Sequence, residues 1–250
     1  MFARASLVLG VMATSLTLNA SFITIDMVNS GGVESNPGTL TNSRVYTAGA
    51  GTVTVTGWSV GPGASDTFTR GQVGFFSTFG LGVCGADQGV DCTPPFHQID
   101  NSGHYEFLLF QFSPGVQALS VTLQSFSSND VVSNPAQDGR DTSYFFGAVG
   151  LSTPLGLTLS GLSGIGFGPR QDEVHTPEPN PFDPTHLPVT ETINVGGGGN
   201  ALLFGAIVDG SGDDFFKIQS LTLNTAPEPA TLGLLGAALL ALGVWRRRRQ

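Results

Sequence analysis

Two clusters of oxygen-bearing side chains are the residues of this chain best placed to do chemistry. The first lies in His97-Gln98-Ile99-Asp100-Asn101-Ser102-Gly103-His104-Tyr105-Glu106, a loop running into the strand FLLFQF. Asp100, Asn101 and Glu106 are hard oxygen donors, a set that suits Ca²⁺. An Asx-turn beside a solvated glutamate is the simpler reading of the same residues and the preferred one. The second is Asp209-Gly210-Ser211-Gly212-Asp213-Asp214. It opens like an EF-hand loop, but Asp214 stands where Gly is needed and Ser220 where the bidentate Glu belongs. Strands rather than helices flank it. Asp209, Asp213 and Asp214 offer a structural calcium site of another kind, and an acidic β-turn is the plainer alternative.

Catalytic constellations are harder to assemble. Gly57-Trp58-Ser59-Val60-Gly61 fits G-x-S-x-G, but that elbow needs a helix straight after the serine. VGPGASDTF cannot start one, so Ser59 reads as a strand residue and Trp58 as a core or sheet-face aromatic. His97, His104, His175 and His186 show no zinc spacing and are expected in loops or at the surface. Glu106 is the one glutamate in a strong strand, and no second carboxylate can be named to face it for glycoside hydrolysis. Cys84 and Cys92 enclose GADQGVD. In an oxidising compartment a local disulfide is expected; a metal site would need more ligands, and a catalytic thiol a close histidine.

The elements that must hold these residues are strands. Phe22–Val28 and Thr52–Ser59 alternate apolar and polar side chains. Strand patterns follow at Gln72–Phe79, Tyr105–Phe112, Gln117–Phe126, Ser143–Val149, Leu155–Leu159, Leu202–Val208 and Phe216–Leu223. GPGAS, SSND, NPAQDG and GGGGN punctuate them with turn chemistry. Many short strands without helical pattern between them predict an all-β protein: an antiparallel β-sandwich, jelly-roll-like, over residues 21–226. Residues 161–189 hold six prolines and two histidines and are expected as a long surface excursion before the last two strands.

Composition narrows the function further. Residues 21–226 carry five basic against eighteen acidic side chains, a balance of −13, with Lys217 as the sole lysine. Nucleic acid is excluded as a partner, because phosphate binding needs a basic face. Eighteen phenylalanines still supply a core despite 35 glycines and 15 prolines. No organic cofactor is implied.

Both ends of the chain speak of export. Arg4 followed by an apolar Ala5–Leu18 gives residues 1–20 the form of a signal peptide. At the other end stand Pro227, Glu228 and Pro229, an apolar run over 230–245, then Arg246, Arg247, Arg248 and Arg249. As a helix the run spans about 24 Å, a little under the roughly 30 Å of hydrocarbon in a bilayer. Four arginines after it act as a membrane stop and should remain in the cytoplasm, leaving the preceding chain outside. The prolines hold an extended strip above the membrane, and Glu228 lies by the positive end of the helix dipole. An ordinary membrane anchor would share these physical features.

This three-part tail, residues 227–250, resembles the PEP-CTERM sorting signal of Gram-negative bacteria that secrete exopolysaccharide. The resemblance covers about a tenth of the chain and lies in Pro227-Glu228-Pro229, TLGLLGAALLALGVW and RRRR, in that order. A second copy of the tripeptide, Pro177-Glu178-Pro179, lacks both the apolar run and the basic end and reads as a loop. The resemblance implies an exosortase, a cysteine protease-like membrane enzyme, as partner. It also implies a transient hold in the inner membrane, cleavage near the motif, and transfer to the envelope, surface or matrix. Gly80–Val83 and the D-N-x-G-x-x-E passage from Asp100 to Glu106 look like a pattern common in PEP-CTERM ectodomains, to which no activity is attached. The function expected is a non-enzymatic structural or adhesive component associated with exopolysaccharide. A carbohydrate-binding module or a secreted hydrolase are the alternatives.

Overall fold

In a computed structural model the chain is described over residues 21–28, 40–48, 51–76, 80–85, 98–113, 116–125, 141–150, 152–174, 190–197, 199–209 and 214–225. These residues are all-β. The strands are β1 (Ser21–Asp26), β2 (Leu40–Thr41), β3 (Arg44–Ala48), β4 (Gly51–Val60), β5 (Thr69–Phe76), β6 (Gly80–Cys84) and β7 (Ile99–Asp100). They continue with β8 (Tyr105–Phe112), β9 (Val116–Ser125), β10 (Thr142–Gly147), β11 (Gln171–Glu173), β12 (Thr190–Asn194), β13 (Ala201–Ala206) and β14 (Phe215–Thr225).

Hydrogen bonding joins them in the order β11-β10-β13-β8-β4-β5-β6-β14-β9-β12, with β1 and β7 on β14, β2 on β5 and β3 on β4. β5 is the turning point of this order. Its Thr69–Gly71 pairs with Gly57–Ser59 of β4, while Gln72–Phe76 pairs with β6. A side chain cannot be accommodated where the strand changes partner. A Cβ on Gly57 would lie 2.9 Å from the Gln72 carbonyl oxygen, and one on its partner Gly71 2.7 Å from that of Cys84.

Period-two alternation explains which face each residue takes. In β8, Leu108, Phe110 and Phe112 enter one core, while Tyr105, Phe107 and Leu109 enter another. The first core is shared by both arms of the order, drawing Val53 and Val55, Leu202 and Phe204, and Leu221 and Leu223. The second gathers Trp58, Phe68, Phe107, Phe145 and Leu203, capped by Leu162 and Phe167. With both faces covered, β8 is nearly continuous apolar sequence rather than alternating.

Three sequence expectations need correction. Leu155–Leu159 is a turn leading into a 3₁₀ helix over Ser160–Ile165, because Pro154 and the positive φ of 72° at Gly156 break the strand pattern. The segment from 161 onward is no simple excursion over its described part. Leu162 and Phe167 are buried, Phe167 bridges to Gly147, and β11 adds to β10. Three strands, β12 to β14, follow it rather than two.

Lys217 is fully buried on β14 between Phe216 and Ile218, opposite Gln124 of β9. Burial pulls its pKa down from 10.5 to about 8. The folded state thus disfavours the charged amine. Below about pH 8 both states hold the proton and the cost is constant; between about 8 and 10.5 the unfolded chain binds more protons, so stability rises with pH. Denaturant unfolding at several pH values should therefore show wild type gaining on Lys217→Met across this window, by on the order of 3 kcal/mol in all. Parallel pH profiles would contradict the burial.

Candidate functional site

The short strand β7 places the first acidic cluster. Its antiparallel pairing puts Asp100 opposite Phe215 and Ile99 opposite Phe216, which carries the next residue, Asn101, against Asp214. The two clusters named from sequence thus meet. Asn101 Nδ2 donates to Asp214 Oδ2 at 2.8 Å, and the Asp214 backbone N–H returns a bond to Asn101 Oδ1 at 2.9 Å. Asp214 Oδ1 accepts the Asp141 N–H at 2.9 Å, and Asn101 Nδ2 also reaches the Ile207 carbonyl at 3.4 Å. Both side chains are buried. A buried carboxylate is stable only where donors replace its lost water, and here backbone and amide groups do so.

Glu106 forms a second buried node. It is not solvated, as the Asx-turn reading had it, but fully buried at the start of β8. Oε1 accepts the Gly85 N–H at 3.1 Å and Oε2 the Asp100 N–H at 3.3 Å. One carboxylate thereby ties the end of β6 to β7. Asp100 itself accepts the Ser102 N–H through Oδ1 at 3.0 Å, an Asx-turn. Across the β4–β8 ladder Ser59 stands opposite Glu106. Ser59 is fully buried within β4, with its Oγ 3.1 Å from Thr69 Oγ1. No helix follows it, as the sequence reading required.

The remaining candidates scatter. Asp209 is exposed after β13, and His104 is half-buried. Asp213, Cys92, His97, His175 and His186 lie outside the described residues, as do Pro227, Glu228, Pro229 and Arg246 to Arg249. Cys84 is buried, and no free cysteine occurs among the described residues. Among those residues no three His, Cys, Asp or Glu side chains converge as a metal cage. All four carboxylate oxygens of Glu106 and Asp214 already accept hydrogen bonds, so these groups act chemically as clasps on loop ends. The clasp between Asn101 and Asp214 was not foreseen. The only signal for it was two Asx-rich loops bordering strands that prove to be neighbours.

Trp58, expected as a core or sheet-face aromatic, is fully buried and donates Nε1–H to Thr56 Oγ1 at 2.8 Å. The Arg70 guanidinium sits over its ring at 5.3 Å.

No helix among the described residues is long and apolar enough to cross a membrane, and the 230–245 run lies outside them. Function therefore rests on the tail as sequence. Neither a curated protein nor a solved structure matches the chain. One family model does match, the PEP-CTERM protein-sorting motif, over residues 225–249. That span takes in Pro227-Glu228-Pro229, the apolar run and all four arginines. The chain carries a PEP-CTERM protein-sorting motif and is thereby marked as an exported protein, held first as a membrane-anchored precursor and processed by an exosortase.

Proposed function

We propose that the released protein is a non-enzymatic structural or adhesive component of the cell surface or extracellular matrix, associated with exopolysaccharide. The sorting motif carries this reading. Residues 1–20 serve as the signal peptide, 230–245 as the single transmembrane helix, and 21–226 as a jelly-roll-like β-sandwich. In support of the sandwich, the two arms of the strand order share one core. In support of a non-catalytic role, Ser59 and Glu106, the groups with most catalytic promise, are buried and engaged in holding strands and loops.

The exposed side of β1, β14, β9 and β12 is polar, with rows of hydroxyls beside Asp26, Asn194 and Asn224. Thr24 pairs with Thr222 at 3.2 Å and Thr122 with Thr192 at 3.0 Å, with Ser120 and Ser220 in the same rows. Among its described side chains Phe22 is the one exposed large apolar group. A polar face of this kind hydrates well and resists edge-to-face aggregation, as suits a polymer-rich exterior. Its described side chains do not provide a row of aromatic rings for stacking on a glycan.

The test is to fractionate the native host beside a strain lacking the gene. The protein should co-sediment with extracellular polymer, and its loss should weaken surface attachment. Recovery only from the inner membrane, or hydrolysis of matrix polymer by the purified chain, would contradict the reading.

Cys84 pairs with Cys92 in this scheme, closing the GADQGVD loop. Cys84→Ser should lower stability by about 2–3 kcal/mol, the loop-closure effect of a short disulfide. Alkylation without reductant should label neither cysteine of the exported wild type; labelling of both would remove the bridge.

A further inference from the structure

The tail leaves the strands from one particular end, and that end is chemically unlike the other. β14 finishes at Thr225, opposite Ser21 of β1 and Val116 of β9. Strand ends of the other arm gather there too. The Phe112 N–H donates to the Asn200 carbonyl at 2.7 Å and the Ser113 N–H to that of Thr52 at 2.9 Å. Gln111 Nε2 donates to the carbonyls of Gly150 and Ser152 at 3.3 and 3.1 Å. Residues 49–50, 113–115, 148–152 and 195–200 leave or join strands at this end, and none of them is charged. At the opposite end, the connections 61–68, 85–98, 126–141, 174–189 and 207–214 hold eleven acidic side chains against one basic, Arg140.

Phe22 stands at the neutral end. It is 70% exposed and pairs with Asn224, one residue before β14 finishes. The nearest acid on its own strand, Asp26, lies four residues on, about 13 Å at the rise of a strand. Only residues 226–229 separate Thr225 from the apolar run at 230, a reach of at most about 18 Å. A lone exposed aromatic is ordinary on a soluble surface. One leashed this closely to a bilayer meets it at high effective concentration, and a phenylalanine ring inserts readily at the headgroup–acyl boundary. Electrostatics selects the same orientation. β14 is eleven residues long, roughly 35 Å, which holds the acidic connections about four Debye lengths above a surface under the neutral end. Turned over, the protein would press those acids against anionic headgroups.

We propose that in the membrane-anchored precursor the neutral end rests on the bilayer surface, with Phe22 inserted at the headgroup–acyl boundary and the acidic end turned away. This inference rests on the reading of residues 230–245 as the membrane-spanning segment.

The test uses the full chain carrying Trp245→Phe, reconstituted in phosphatidylethanolamine–phosphatidylglycerol vesicles with brominated acyl chains, which quench indoles at short range. Trp58 is fully buried and gives a common background. Phe22→Trp adds an indole at the neutral end, and Val174→Trp one at an exposed site just past β11, at the acidic end. The first should lose most of its added emission relative to unbrominated vesicles, and the second none. Asn224→Trp takes the place of Phe22→Trp should that variant be unstable. A spacer of about twenty Gly and Ser residues after Ala226, a coil some 25 Å across, separates docking from mere proximity. Quenching of the first indole should persist in it. Equal quenching at the two sites, or its loss with the spacer, overturns the proposal. Flotation with the vesicles is read on the same samples. Floating protein with neither indole quenched overturns docking and leaves the anchor standing; protein that does not float removes the anchor, and docking with it.

Discussion

Glu106→Ala is expected to lose about 3–5 kcal/mol of stability, because it leaves the buried N–H of Gly85 and the part-buried N–H of Asp100 without their acceptor. In a domain of this size that lowers the melting temperature by roughly 10 °C. The cost does not come from the carboxylate as a favourable group in itself. Burying it was expensive, and the two backbone donors were accepted in exchange; removing it strands them both. Glu106→Gln separates the effects. It keeps the shape and one acceptor oxygen but turns a donor toward a donor, so the loss should be smaller, about 1–2 kcal/mol. Equal melting temperatures for all three proteins would show that water reaches this carboxylate. The loss should also be local at first: hydrogen exchange should quicken at Gly85 and Asp100 before the paired body of β8, where Phe107 to Phe110 are fully buried.

Much of the strand content was legible because alternation and turn residues act locally. Tyr105–Phe112 was placed to the residue, and the strands about Thr52–Ser59 and Phe216–Leu223 within a few positions. What failed did so for physical reasons. Arg44–Ala48 and Thr190–Asn194 are five-residue strands whose patterns are too short to stand out. GLGVC in β6 is rich in glycine, which predicts no strand, yet it is buried at every position between β5 and β14, where Gly80 has a φ of 105° and lies against the Ile218 carbonyl. Leu155–Leu159 has the right composition, but Gly156 in the left-handed region bends it into a turn. The acidic residues show the same limit more sharply. Spacing said that Asp100, Asn101 and Asp214 were oxygen donors; only the β7–β14 register puts Asn101 and Asp214 together, and 113 residues separate them in the chain. A long-range contact of that kind leaves no periodic trace in sequence. The tail is the opposite case. Its information is linear, three chemically distinct blocks in fixed order, and could be read without any fold.

Glu228→Ala should stop processing outright, a larger functional effect than any substitution in the strands. Glu228 is the one charged group between two prolines, in a span that the sorting model covers from residue 225 to 249. Replacing it leaves the apolar run and the arginines intact, so insertion by the positive-inside rule is unaffected and only recognition is lost. The precursor should then accumulate in the inner membrane. Arg246 to Arg249 replaced together by glutamine test the other block: the stop weakens, and orientation rather than recognition suffers.

The decisive measurement is the intact mass of the protein recovered from its native host, wild type beside Glu228→Ala, together with the membrane fraction in which each is found. Wild type is expected to have lost its tail near residue 227 and left the inner membrane, while Glu228→Ala retains Arg246 to Arg249 and stays there. Full-length mass and inner-membrane residence for both would make the tail a plain anchor and contradict exosortase sorting.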